Sequence, residues 1–211
     1  MDISHAELQK LFDTILPENL KIAITTFIEK VISLEDKYGC KDLWIADQML
    51  GGIGGYCMPA NPVSNPYPSG QKRTLYRPLQ YARSEIEICD VRMHARYVVQ
   101  MCGMHLESVC RLYLQNRKAF GLLRFGNTTL GKAVQQMQSM QEIDSVIIDG
   151  LFAYVSVYNR SKHEINQDDS RERLFNAYDA VVGYYSARVL GLTILRLLNI
   201  AESLGHYEII E

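Results

Sequence analysis

Apolar residues recur every three or four positions along most of this chain, which is the spacing of one helix face. Residues 4–16 predict a first helix, with Ser4 as its N-cap and Glu7 three residues later. A second helix is predicted over 17–39, because proline is favoured in the first turn and glycine just beyond the last. Its buried stripe would consist of Leu20, Ile24, Phe27, Ile28 and Val31.

The longest helical pattern spans residues 80–117, with no proline and a single glycine, Gly103. A continuous helix of that length would extend about 50 Å, so a break near Gly103 is the alternative. The cysteines of this segment are expected to be small buried apolar residues; they are Cys89, Cys102 and Cys110.

Three further helices are predicted, over 129–139, 142–157 and 170–204. Thr128 or Thr129 can cap the first of them. "SVIID" near the start of the second could form a strand, but more apolar sequence follows it directly. The apolar face of the last helix would consist of Leu174, Tyr178, Val181, Tyr185, Val189, Leu192 and Leu195.

Residues 51–78 contain five glycines and five of the six prolines of the chain. This composition predicts an insertion loop without regular helix. Its "GGIGGY" lacks the Lys-Ser/Thr ending of a P-loop and follows no strand, so it does not indicate a nucleotide-binding glycine loop. The whole pattern predicts one all-α domain over residues 1–211, a helical bundle with a long Gly/Pro-rich loop.

Composition narrows the function classes only slightly. A formal charge of -2 over 211 residues does not predict a broad basic face for long duplex nucleic acid. Five cysteines without a CxxC pair favour a reducing compartment. The first residues do not resemble a signal peptide, and no apolar run reaches the roughly 18 residues of a membrane span. We therefore expect a cytoplasmic protein without membrane contact.

Metal and cofactor chemistry finds little support in the sequence. His94 and His105 lie eleven residues apart, so a helical rise would separate them by about 16 Å. Asp90 and His94 could be helix neighbours, but such a pair is common on helix surfaces. We expect no metal and no cofactor. A haem or small-molecule enzyme with a site between helices remains the last alternative.

The segment "YNRSKHEI", beginning at Tyr158, carries the most distinctive chemistry. If the preceding helix continues through it, Asn159 and His163 share one face, and Tyr158 and Lys162 form a second i, i+4 pair. Arg160 and Lys162 could simply complement the helix dipole. Histidine can transfer protons near neutral pH, and an adjacent amide and cation can hold a phosphate. This set is sufficient for metal-free RNA cleavage by the 2′-hydroxyl or for nucleotide binding.

Residues 142–204 resemble the HEPN superfamily of helical bundles. An apolar helix ends in "YNRSKH", and a polar link leads to "RLFNAYDAVVGYYSARVLGLTIL", which is similar to the closing helix of the family. The resemblance implies a homodimer that brings two motifs to one cleft. It also implies a nucleic-acid-processing or nucleotide-binding protein of a defence or stress system, such as a toxin or phage-defence effector. Many HEPN proteins are metal-independent ribonucleases.

The resemblance assigns roles to five residues. His163 would be the general acid or base, and Asn159 would orient the histidine or the phosphate. Arg160 and Lys162 would supply positive charge, and Tyr158 would stack on a base or pack. Tyr158 occupies the position at which the family carries an arginine, and Arg160 stands only three residues before His163.

A second function class remains open on the sequence alone. The chain could be a non-catalytic helical interaction module that acts as a homodimer. Loop 51–78 would then bind a partner protein of unknown identity, and the tyrosines of "GYYSAR" would serve the dimer interface.

Overall fold

The protein is an all-α helical bundle, as the sequence predicts. The computed structural model describes residues 3–33, 41–50, 53, 71–87, 91–119, 121–163 and 175–198. The helices are α1 (Ile3–Thr14), α2 (Glu18–Ser33), α3 (Lys41–Gln48), α4 (Gln71–Glu87), α5 (Val91–Asn116), α6 (Leu130–Met140), α7 (Ser145–His163) and α8 (Ala177–Leu197). These ranges contain no strand, so "SVIID" is helical.

Local signals place several helix ends correctly. The Pro17 carbonyl accepts hydrogen bonds from the Leu20 and Lys21 amides at the start of α2. The Thr129 side chain accepts from the Lys132 amide and so caps α6. In the predicted stripe of α2, Leu20, Ile24 and Phe27 are buried and Ile28 is half-buried, whereas Val31 lies outside the described side chains.

The predicted end of the loop at residue 78 is wrong, because residues 71–78 belong to α4. This helix contains Pro78. Proline removes one backbone hydrogen bond from a helix interior. The apolar side chains that α4 buries on both sides of Pro78 offset this loss; they are Leu75, Leu79, Ala82 and Ile86. Residues 54–70 of the loop lie outside the described residues.

The single helix predicted over 80–117 is also wrong, since α4 ends at Glu87 and α5 begins at Val91. Nδ1 of His105 on α5 lies 2.8 Å from the carbonyl oxygen of Leu75 on α4. In one straight helix these residues, 30 apart, would be separated by about 45 Å. The two segments therefore pack against each other, and α5 continues unbroken through Gly103.

Helix α8 forms the centre of the bundle and begins later than predicted. Asn176 caps it in a reciprocal capping box with Asp179. Tyr184 and Tyr185 are fully buried, so the prediction that they serve a dimer interface is wrong. Among the described helices, α8 has the length and apolar composition of a membrane span, but 72% of its most apolar 18-residue stretch is buried inside the protein. Residues 164–174 and 199–204 of the prediction lie outside the described residues.

A buried ion pair joins α3 to α8. Arg188 donates from Nε to Asp47 Oδ1 and from Nη2 to the Asp47 carbonyl, both at 3.0 Å. Nη1 of Arg83 on α4 lies 3.3 Å from Asp47 Oδ2, and its guanidinium lies 4.4 Å from the centre of the Trp44 ring. Burial would lower the pKa of Arg188, but the Asp47 carboxylate raises it above its usual value. Three helices are therefore connected through one carboxylate.

The buried His105 gives folding stability a pH dependence. Burial lowers its pKa from 6.5 to about 4, against the opposing effect of its bond to the Leu75 carbonyl. Between these values the unfolded chain binds a proton that the folded protein excludes, so stability falls as pH falls from about 6.5 to about 4. This difference in pKa corresponds to a change of about 3 kcal/mol in the free energy of unfolding. Urea unfolding of wild type and His105→Gln at pH 4.5 and 7 should show a smaller loss in the variant, and equal losses would contradict this origin.

Candidate functional site

The predicted motif lies on the last turns of α7, which continues past residue 157 to His163. The helix starts with its Val146 amide bonded to Asp144 Oδ1 at 2.8 Å. Asn159 and His163 are therefore one turn apart on one face, as the spacing predicts. Both side chains are exposed, so the amide and the imidazole can meet a ligand from solvent.

Tyr158 packs inside the protein and is only 5% exposed. Its ring lies against Gly103 of α5, where any Cβ would overlap it. Lys162 lies one turn further along α7, and its Nζ is 3.9 Å from the centre of the Tyr158 ring, which is a cation–π contact. Burial, with the nearby charge of Glu107, raises the pKa of Tyr158 to about 12. Of the two predicted roles for Tyr158, packing is confirmed and base stacking is wrong.

Side chains of α5 cap the C-terminal end of α7. Arg96 donates from Nε to the Ser161 carbonyl at 2.6 Å and from Nη2 to the Lys162 carbonyl at 3.5 Å. Gln100 Nε2 also donates to the Ser161 carbonyl. The last carbonyls of a helix have no partner within the helix, so these donors satisfy them and fix the end of α7 on α5.

Three cationic side chains lie at this end of α7. Arg160 and Lys162 are half-buried in the last turn of α7, and Arg96 adds a guanidinium from α5. Cations at this position are also favoured by the helix dipole, which accounts for part of their stabilisation. The structure therefore brings Asn159, His163 and three cations to one end of α7.

Sequence reasoning missed Arg96, which lies 65 residues from Ser161. No motif links the two positions, because only the packing of α5 on α7 brings them together. The proximity of Tyr158 to Gly103 could have been suspected from the isolated glycine in a long helical pattern, since such glycines often permit close packing.

Within the described residues, the histidines and cysteines considered above are not arranged as a metal site or as reactive nucleophiles. His94 Nδ1 lies 2.8 Å from Glu85 Oε2, while Asp90, its predicted neighbour, lies outside the described residues. Within the described ranges, no group of three or more His, Cys, Asp or Glu residues is placed to hold a metal ion. Cys102 and Cys110 are buried as predicted, and burial raises the pKa of both thiols, that of Cys110 to about 12. Neither thiol is therefore an active nucleophile near neutral pH.

The chemistry that can be assigned is concentrated at the C-terminal end of α7. An exposed imidazole and amide stand one turn apart there, on a helix end that α5 holds in place. No family model, no curated protein and no solved structure matches this chain.

Proposed function

We propose that this protein binds RNA at the C-terminal end of α7 and cleaves it without a metal ion. The observation that carries the proposal is the exposed pair Asn159 and His163, one turn apart beside the cations of Arg96 and Lys162. Positively charged side chains hold phosphates, and an imidazole can transfer protons near neutral pH. The resemblance to HEPN ribonucleases points to the same chemistry.

The reaction would use the 2′-hydroxyl of the RNA as nucleophile. His163 would remove the proton from this hydroxyl or donate one to the departing 5′-oxygen. Asn159 and Lys162 would donate hydrogen bonds to phosphate oxygens as their negative charge develops. The products would be a 2′,3′-cyclic phosphate and a 5′-hydroxyl.

One imidazole cannot remove and donate a proton at the same moment. A homodimer that brings two α7 ends to one cleft would supply both groups, and we propose this assembly for the active form. A cytoplasmic role in a defence or stress system follows from the same resemblance and belongs to the same proposal.

The test is cleavage of single-stranded RNA by the purified protein in EDTA. We expect cleavage that does not depend on added divalent metal, with cyclic phosphate ends on the products. Absence of cleavage would overturn the proposed catalysis, and absence of RNA and nucleotide binding as well would overturn the whole proposal.

The second candidate is a non-catalytic interaction module that acts as a homodimer. It is favoured by exposed apolar side chains on α2, on α3 and directly after α3, namely Ile22, Ile45 and Met49. Met49 lies next to Asn19 of α2, with 3.2 Å between Sδ and Nδ2. The predicted partner loop falls largely outside the described residues. A dimeric protein that neither binds nor cleaves RNA would favour this candidate.

A further inference from the structure

Helix α5 presents an exposed tyrosine beside the candidate site. Tyr97 is 54% exposed. Its chain neighbour Arg96 and its helix neighbour Gln100, at i+3, both donate to the Ser161 carbonyl. Side chains at i and i+3 are adjacent on a helix surface. The Tyr97 ring therefore projects at the edge of the contact between α5 and the end of α7.

The exposed surface of Tyr97 continues along α5. Met104 lies two turns further on the same face and is 51% exposed. The ring of His94 lies beside Tyr97, with 6.1 Å between centroids and an interplanar angle of 51°.

We propose that Tyr97 is the residue on which an unpaired base of bound RNA stacks. This inference rests on the proposed function and names its substrate class, which is single-stranded RNA. Base stacking on an aromatic ring needs an open face, which Tyr158 lacks because its ring lies between Gly103 and Lys162. Tyr97 offers such a ring next to groups that attract phosphate, and this is the usual combination in single-strand binding. Bases of an intact duplex are already paired and stacked, so duplex RNA would not use it.

The experiment measures binding of a short single-stranded oligonucleotide with 2′-O-methyl riboses, which cannot be cleaved, by fluorescence anisotropy in EDTA. Tyr97→Ala should weaken binding about 5- to 150-fold, the equivalent of about 1–3 kcal/mol per stacked base. Tyr97→Phe keeps the ring and should bind within about twofold of wild type. Circular dichroism establishes that the variants are folded.

Tyr81 provides a matched control, since it is an exposed tyrosine on α4 (52%) that also lies near an arginine, with Arg77 5.7 Å from its ring centre. Tyr81→Ala should bind RNA like wild type. If wild type binds the oligonucleotide and Tyr97→Ala binds equally well, the stacking role is overturned while the proposed function stands. If wild type does not bind the oligonucleotide, the stacking role and the proposed function are both overturned. Loss of binding in Tyr97→Phe as well would also overturn stacking, because the ring would then be insufficient.

Discussion

Asp47→Asn should lower the free energy of unfolding by about 3–5 kcal/mol. The substitution keeps the shape of the side chain but leaves Arg188, which is 4% exposed, without its carboxylate partner. A buried charge that loses its counter-ion retains its full desolvation cost. For a chain of this length the loss corresponds to a fall in Tm of roughly 6–20 °C. Urea and thermal unfolding followed by circular dichroism measure it.

The double variant Asp47→Asn/Arg188→Met separates charge burial from general disruption. Removing the guanidinium removes the buried charge that Asp47 pairs with, so the double variant should recover much of the stability lost by Asp47→Asn. Arg188→Met alone should cost less than Asp47→Asn, because Arg83 still lies 3.3 Å from the Asp47 carboxylate. A loss below about 1 kcal/mol in Asp47→Asn would show that the pair contributes little.

The second large effect is expected on activity. His163→Ala should reduce the rate of RNA cleavage about 10²- to 10⁴-fold, the usual contribution of a general acid or base. The side chain is exposed, so the change should leave the unfolding transition nearly unaffected. Asn159→Ala should also lower the rate without a large loss of stability, since the exposed amide would donate to the phosphate in the proposed reaction. Single-turnover cleavage of an end-labelled RNA in EDTA gives these rates.

A half-buried histidine on α5 serves as the control for His163. His94 is paired with Glu85 and lies beside Tyr97, so His94→Ala can affect RNA binding but should cleave at nearly the wild-type rate when the protein saturates the RNA. Equal activity of wild type and His163→Ala would remove the histidine from the mechanism. Equal losses in both histidine variants would point to a nonspecific effect.

Local signals were sufficient to predict α1, α2, α6, α7 and α8, whereas α3 was not predicted from the sequence. Helix α7 and the Thr129 cap of α6 follow from apolar spacing and N-cap chemistry. The helix through Pro78 could not be predicted, because its stability comes from burial against other helices and not from its own sequence. The boundary between α4 and α5 was missed for a related reason, since no glycine or proline marks residues 88–90.

In the candidate site, too, some features follow from local signals and others depend on how the helices pack. The shared face of Asn159 and His163 follows from helical spacing alone and needed only that α7 continue. The capping of α7 by Arg96 depends on how two helices cross, and a single sequence does not contain that information. For Tyr158 the sequence left base stacking and packing open, and the contact of its ring with Gly103 depends on how α5 and α7 pack.

The proposed cleavage requires that the C-terminal end of α7 bind the phosphate of RNA. Titration of isotopically labelled protein with uridine 3′-monophosphate, followed by amide chemical shifts in NMR, measures this binding. We predict that the largest shifts fall on residues 159–163 and on Arg96 and Tyr97, and that they are lost in Lys162→Ala. Shifts confined to other helices, or no shifts at millimolar nucleotide, would show that phosphate does not bind at this end of α7.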